Sequence, residues 1–176
     1  HFLQSCQNLP SHNKEPWVSG DAKNLGGFIY TPGESKAGSE TNSSGKVALR
    51  SYGSISYAGL LSYIYADLKR DDPRVLAVMD WLANNFSLEE NPAMGDQGYF
   101  YYLHLMTKAL SASGVDTVQL KDGKKIDWRK EVAMKLINLQ QKDGSWANKN
   151  GRWWEKDPAL ITSYAMISLE IIYRGL

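Results

Sequence analysis

The chain has 176 residues, of which 43% are apolar and 22% are charged, and its formal net charge is +1. This composition is typical of one globular domain and excludes disordered and collagen-like chains. The balanced charge gives no electrostatic reason to expect nucleic acid as a partner. No apolar run approaches the length of a bilayer-spanning helix, so we do not expect an integral membrane protein. A single cysteine, Cys6, excludes an internal disulfide framework and any multi-cysteine metal site.

The first part of the chain predicts a helix end followed by a long loop. Residues 1–8 resemble the last two turns of a helix, and residues 9–51 are rich in Gly, Ser, Asn and Pro. Residues 33–46 form the most mobile-looking stretch, whereas residues 26–30 form a short ordered island. A loop of this length is unusual and is either functional or disordered.

Five helices are predicted after this loop, and they are of two kinds. Charge-poor helices are predicted at 52–68, 99–112 and 159–173, and amphipathic helices at 73–86 and 127–141. The Asp72-Pro73 and Asp157-Pro158 pairs indicate helix starts, because Asp caps the first turn and Pro fits the first helical position. Short alternating runs around Asp122-Gly123 predict a small β-hairpin near 118–126.

The alternation of the two kinds of helix favours a ring of helical hairpins. In such a ring the inner helix of each pair is buried on both sides, whereas an up-down bundle gives every helix a similar polar face. Ser56-Tyr57-Ala58 returns as Ser163-Tyr164-Ala165 in a second charge-poor helix, which indicates internal repeats. The predicted fold class is therefore all-α: an α/α toroid, a partial ring of about three inner–outer helical hairpins, with one small β-hairpin near 118–126.

Several short motifs resemble those of known families. The sequence QQKDGSW at 140–146 resembles the QW-type repeat of squalene–hopene cyclases and related terpenoid cyclases, and GGF at 26–28 is similar to the turn of protein prenyltransferase β subunits. Further segments resemble bacterial prenyltransferase/squalene-oxidase-repeat proteins, many of unknown activity; these segments are 50–54, 57–60, 71–75, 91–92 and 153–155. The resemblance covers nearly the whole chain and implies the α/α toroid. We therefore expect residues 1–176 to form a single domain that is the C-terminal part of a longer chain.

The chemistry of these families does not transfer to the sequence. Cyclases that protonate squalene use a DxDD motif, which is absent; Asp71-Asp72, the one Asp pair, is explained by a turn and a helix cap. Protein prenyltransferases hold zinc with an Asp, a Cys and a His, but Cys6 lies on an outer-type helix. The histidines, at positions 1, 12 and 104, show no ligand spacing. We therefore expect no metal and no cofactor.

The inner helices of a toroid would bring their N-terminal ends to one mouth, where unpaired N–H groups favour an anion. The candidate ligand-binding residues at this mouth are Arg50, Tyr52, Tyr57, Tyr99, Tyr102, Trp153, Trp154 and Tyr164. Aromatic rings there could stabilise a carbocation, stack on a sugar or fill the core, and Arg50 could pair with an anionic group. Asp96 and His104 are the candidate catalytic residues, although Asp96 could be a plain helix cap and His104 a hydrogen-bonded core residue.

Three functions remain open from the sequence. The first is a terpenoid cyclase/prenyltransferase-like toroid whose aromatic-lined central pocket takes an apolar or isoprenoid-like ligand, with activity unproven. The second is a carbohydrate-binding or carbohydrate-acting α/α toroid, and the third is a non-enzymatic repeat scaffold that contacts a protein partner through 33–46. The expected partners are a small apolar or glycan ligand and either the missing part of the chain or a second copy, because an open arc leaves apolar helices in water.

Overall fold

Five α-helices carry the core of the computed structural model, which describes residues 1–41 and 45–176. In chain order the elements are β1 (Ser39–Thr41), β2 (Val47–Leu49), α1 (Gly53–Tyr65), α2 (Pro73–Asn84), α3 (Tyr99–Ser113), β3 (Thr117–Gln119), β4 (Lys125–Asp127), α4 (Trp128–Leu139) and α5 (Pro158–Arg174). The predicted mobile stretch 33–46 includes residues 42–44, which lie outside the described residues.

Helix α3 lies at the centre, between α1 and α5. Helix α2 packs on α1, and α4 packs on α5 and α3. Tyr102, Leu103 and Met106 of α3 are fully buried, because α3 has a helix on either side. A helix covered on two sides must be apolar around most of its circumference, which explains why α3 is poor in charge. Among the described helices, none combines the length and the apolar character that crossing a bilayer requires.

The helix starts agree with the capping signals in the sequence. The Asp72 carboxylate accepts a hydrogen bond of 2.9 Å from the Arg74 N–H at the start of α2. The Asp157 carboxylate accepts one of 2.9 Å from the Ala159 N–H at the start of α5. Pro follows each cap at the first helical position. The structure therefore confirms these two predicted helix starts.

The predicted all-α toroid is wrong. In the described part of the chain, the five helices are joined by two antiparallel two-stranded sheets, β1–β2 and β3–β4, which gives an α+β fold. The hairpin predicted near 118–126 is confirmed as β3–β4, where Val118 pairs with Ile126. The hairpin β1–β2 was not predicted. The helix end predicted at 1–8 is also wrong, because the structure has only a single 3₁₀ turn there, Gln4–Cys6.

Buried amide side chains explain why the N-terminal region is ordered without helices. The Gln7 amide donates hydrogen bonds of 2.9 Å to the carbonyls of Gly26 and Arg74, and its oxygen accepts one of 2.9 Å from the Tyr63 hydroxyl. The Asn8 amide donates to the Leu49 carbonyl at 2.9 Å. These side chains satisfy backbone groups that a helix or sheet would otherwise pair. Hydrophobic periodicity does not reveal contacts of this kind, so the sequence predicted a loop for residues 9–51.

Candidate functional site

An open pocket of about 420 Å³ lies at the N-terminal ends of α1 and α3. Its aromatic walls are Tyr30, Tyr52, Tyr101, Trp153 and Tyr164, and its remaining lining residues are Lys36, Ser54, Ile55, Gly98 and Glu155. Burial raises the pKa of Tyr52 and of Tyr101 above the usual tyrosine value. Both phenols therefore stay protonated at neutral pH and can donate hydrogen bonds to a ligand.

Two consecutive tryptophans lie at one side of this pocket on an unusual backbone, Trp153 in the pocket lining and Trp154 next to it. Trp153 has φ 55° and ψ 36°, and Trp154 has φ 66°, so both adopt the left-handed conformation. This conformation costs a non-glycine residue about 1–2 kcal/mol. The Trp153 ring packs against Gly98, where an added Cβ would lie 3.1 Å from it, whereas Trp154 is 80% exposed. Strained backbone of this kind clusters at ligand-binding sites.

Glu155 fixes the tryptophans against helix α3. Its side chain is 1% exposed. Oε1 accepts a 2.9 Å hydrogen bond from the Tyr101 N–H in the first turn of α3, and Oε2 accepts one of 2.7 Å from the Asn148 amide. Burial raises the pKa of the Glu155 carboxyl, and the hydrogen bonds from Asn148 and from the backbone of α3 oppose that rise. Glu155 therefore caps α3 from a distant part of the chain and holds the residues next to it.

Asp96, a candidate catalytic residue, joins the two loops beside the pocket. Its carboxylate accepts a 2.9 Å hydrogen bond from the Asn150 amide, and its carbonyl accepts one of 2.6 Å from the Asn148 amide. Asp96 is exposed and is not among the residues that line the pocket. This geometry gives it a direct role in positioning the loop that carries Trp153 and Trp154.

His104, the other candidate catalytic residue, lies behind the pocket wall. Its ring stacks on that of Tyr164, with the centroids 5.1 Å apart, and Ser168 Oγ lies 3.4 Å from its Nδ1. Burial, together with the nearby Lys108 charge, lowers the pKa of His104 to about 4. The imidazole is therefore neutral at pH 7 and supports the position of Tyr164.

The lowered pKa of His104 predicts a loss of stability in mild acid. The native state binds this proton more weakly than the unfolded chain, so stability falls as the pH drops below the unfolded value of about 6.5. We expect a loss of about 1 kcal/mol between pH 6.5 and pH 5.5 that is absent in His104→Phe, which keeps the stacking on Tyr164. Urea unfolding of the wild type and of His104→Phe across this pH range measures the loss. If the stabilities of the two proteins changed with pH in parallel, the lowered pKa of His104 would be contradicted.

The other candidate ligand-binding residues divide into two groups. Tyr52, Trp153 and Tyr164 line the pocket, and Trp154 projects into solvent beside Trp153. Arg50 lies instead in a second pocket of about 310 Å³ that also includes Lys23, Glu40 and Glu90.

The remaining candidate tyrosines belong to the core. The rings of Tyr57 and Tyr102 pack together with their centroids 5.7 Å apart. The Tyr102 hydroxyl donates a 2.9 Å hydrogen bond to the Ser87 carbonyl, and the Tyr99 hydroxyl donates to the Leu88 carbonyl. None of the three is among the residues that line the pocket.

Sequence reasoning missed Tyr30 and Lys36 as pocket residues. Both come from the irregular region before β1, where no periodic pattern marks which side chains point inward. The glycine-aromatic island at 26–30 was the available signal, because it indicated ordered backbone within the predicted loop.

These features define an α+β protein with an open, aromatic-walled pocket at two helix N-terminal ends. Within the described ranges, no group of three or more His, Cys, Asp and Glu residues is arranged to hold a metal ion. The chain matches no protein-family model, no curated protein and no solved structure. The resemblance to prenyltransferase/squalene-oxidase-repeat proteins stays a prediction.

Proposed function

We propose that the pocket binds a carbohydrate. The observation that carries this proposal is the pair Trp153 and Trp154 on strained backbone. Trp153 lines the pocket, and Trp154 next to it is exposed to solvent. Neither the strain nor an exposed tryptophan stabilises the folded chain, so binding is the better explanation for both. A sugar ring has C–H groups on one face, which are attracted to the negative face of an aromatic ring, and its hydroxyls can pair with phenols and Ser54.

The proposal is binding rather than hydrolysis. Two-carboxylate glycoside hydrolysis requires a pair of carboxyl groups about 5–10 Å apart on either side of the bond. Among the described residues that line the pocket, Glu155 is the one carboxylate. Both its oxygens already accept hydrogen bonds from Tyr101 and Asn148.

Removal of Trp154 tests the proposal. We expect Trp154→Ala to weaken the best oligosaccharide found on a glycan array by about 5- to 30-fold, measured by calorimetric titration. The thermal midpoint should stay unchanged, because the side chain is 80% exposed. Tyr173→Ala is the matched control, since Tyr173 is 78% exposed near the other end of α5. No binding to any glycan, or equal affinity in Trp154→Ala and the wild type, would contradict the proposal.

Glycine at the same position separates strain from binding. Trp154→Gly should stabilise the protein by about 1 kcal/mol, because glycine adopts the left-handed conformation without penalty, and it should bind the sugar as weakly as Trp154→Ala. Asp67→Gly relieves the same kind of backbone at φ 59°, away from the pocket, and should stabilise the protein with sugar affinity unchanged.

A second candidate is an apolar, isoprenoid-like ligand. Ile55 and the ring faces of Tyr52 and Tyr101 give the pocket a partly apolar wall, which favours such a ligand. The affinity for an isoprenoid alcohol enclosed by these walls would depend on Tyr52 and would not change in Trp154→Ala. Titration of Tyr52→Ala and Trp154→Ala with farnesol therefore distinguishes an isoprenoid-like ligand from a sugar.

A further inference from the structure

Lys36 places a positive charge at the wall of the pocket. Its ammonium lies 4.6 Å from the centroid of the Tyr30 ring, which also lines the pocket. The ammonium is paired with the carboxylate of Glu34, whose side chain is 54% exposed and which is not itself a lining residue. An ion pair this exposed contributes little to folding, so the carboxylate on Lys36 can be exchanged at little cost.

Two further charged groups lie at or beside the pocket, the Glu155 carboxylate and the Arg152 guanidinium. The Glu155 carboxylate, the other charged lining group, accepts hydrogen bonds from the Tyr101 N–H and the Asn148 amide, so both of its oxygens are already engaged within the protein. The Arg152 guanidinium lies 4.3 Å from the centroid of the Trp153 ring. Its charge also opposes the rise that burial causes in the pKa of Tyr52, which places a second cation close to the pocket.

We propose that the pocket selects acidic sugars, with the carboxylate of a uronic acid residue replacing Glu34 on the Lys36 ammonium. This inference rests on the proposed carbohydrate binding. The exchange keeps the ammonium paired before and after binding, and the displaced Glu34 carboxylate, which is 54% exposed, is solvated by water. A sugar without a carboxylate leaves Glu34 in place and forms no ion pair with Lys36. The acidic and the neutral sugar therefore differ in affinity through this one ion pair. Because the pair is exposed, added salt weakens this preference.

Matched sugars that differ only in charge test the inference. The probes are disaccharides of glucuronate, galacturonate and mannuronate, each titrated beside its methyl ester, which has the same ring and no charge. We expect the acid to bind at least about tenfold more tightly than the ester, and we expect this ratio to shrink as salt is raised. Lys36→Gln should reduce the ratio to about one. Because the ratio compares acid and ester within the same protein, a change in ester affinity does not affect the comparison.

Two further variants complete the test. Glu34→Gln removes the internal competitor and should tighten binding of the acid by about 3- to 10-fold. Lys23→Gln removes a cation from the second pocket and should leave the ratio unchanged. A wild-type ratio near one, or a ratio that survives Lys36→Gln, would overturn the inference, and an acid affinity unchanged by Glu34→Gln would overturn the exchange of carboxylates. If the esters bind in a Trp154-dependent way without an acid preference, carbohydrate binding stays intact and the inference of acidic sugars fails. If neither form binds, the inference also fails, and the glycan array tests carbohydrate binding separately.

Discussion

Glu155→Ala should destabilise the protein by about 3 kcal/mol. The Glu155 carboxylate is 1% exposed and accepts hydrogen bonds from the Tyr101 N–H and the Asn148 amide. Alanine leaves the first turn of α3 without this cap, and it removes one of the two acceptors of the partly buried Asn148 amide, which keeps its bond to the Asp96 carbonyl. Each such loss costs about 1–3 kcal/mol. Urea unfolding followed by tryptophan fluorescence measures the change, and the same variant should bind sugars weakly because Trp153 is no longer anchored.

Two other substitutions show whether the burial of Glu155 causes the destabilisation expected for Glu155→Ala. Glu170→Ala removes a glutamate of α5 that is 57% exposed and paired with Arg174, and it should cost less than about 0.5 kcal/mol. Glu155→Gln keeps an oxygen for the Tyr101 N–H and should retain much of the stability. Equal losses for Glu155→Ala and Glu170→Ala would contradict the role assigned to Glu155.

The glutamine variant also gives the sign of a pH effect. Burial raises the pKa of Glu155, so the native state holds this proton more tightly than the unfolded chain. Stability from this group is therefore greatest below the unfolded value of about 4.3 and falls as the pH rises through the raised pKa. The wild type should gain stability relative to Glu155→Gln as the pH is lowered from 7 to 4.

Local signals in the sequence were enough to predict the five helices after residue 52, but not how these helices are arranged. The Asp72-Pro73 and Asp157-Pro158 starts are local, and both are present in the structure. The ring was inferred from alternating helix types, but α3 is charge-poor because α1 and α5 cover it, and a layer provides that cover as well as a ring does. In α5, a helix with similar composition, Met166 is 57% exposed. Low charge therefore indicates burial only where a neighbour exists.

The candidate site shows the same division between local and distant information. Trp153 and Trp154 were recognised as aromatic candidates, but nothing in a Trp-Trp-Glu sequence indicates left-handed backbone. The contact that fixes them joins Glu155 to Tyr101, 54 residues away in the chain. Tyr30 reaches the pocket from a region without periodic structure. Such contacts depend on tertiary packing, so spacing along one sequence could not predict them.

Gly26→Ala should destabilise the protein by about 3 kcal/mol. Gly26 has φ 93°, and a Cβ added there would lie 2.1 Å from the backbone oxygen of Ala77 in α2. Because the obstacle is helix backbone rather than a flexible side chain, the 26–30 region and α2 would have to separate. The Gln7 amide, which donates to the Gly26 carbonyl at 2.9 Å, would be displaced with it. Urea unfolding at constant pH measures the loss.

Gly38→Ala is the matched control for this close approach. Gly38 also has positive φ, 80°, but nothing lies within 4 Å of the position where its Cβ would be placed. Alanine there carries only the backbone penalty of about 1 kcal/mol. The difference between the two variants, about 2 kcal/mol, therefore reports the contact between the N-terminal segment and α2. Equal losses in the two variants would mean that backbone strain alone is responsible and that the segment does not pack against α2 as closely as the structure shows.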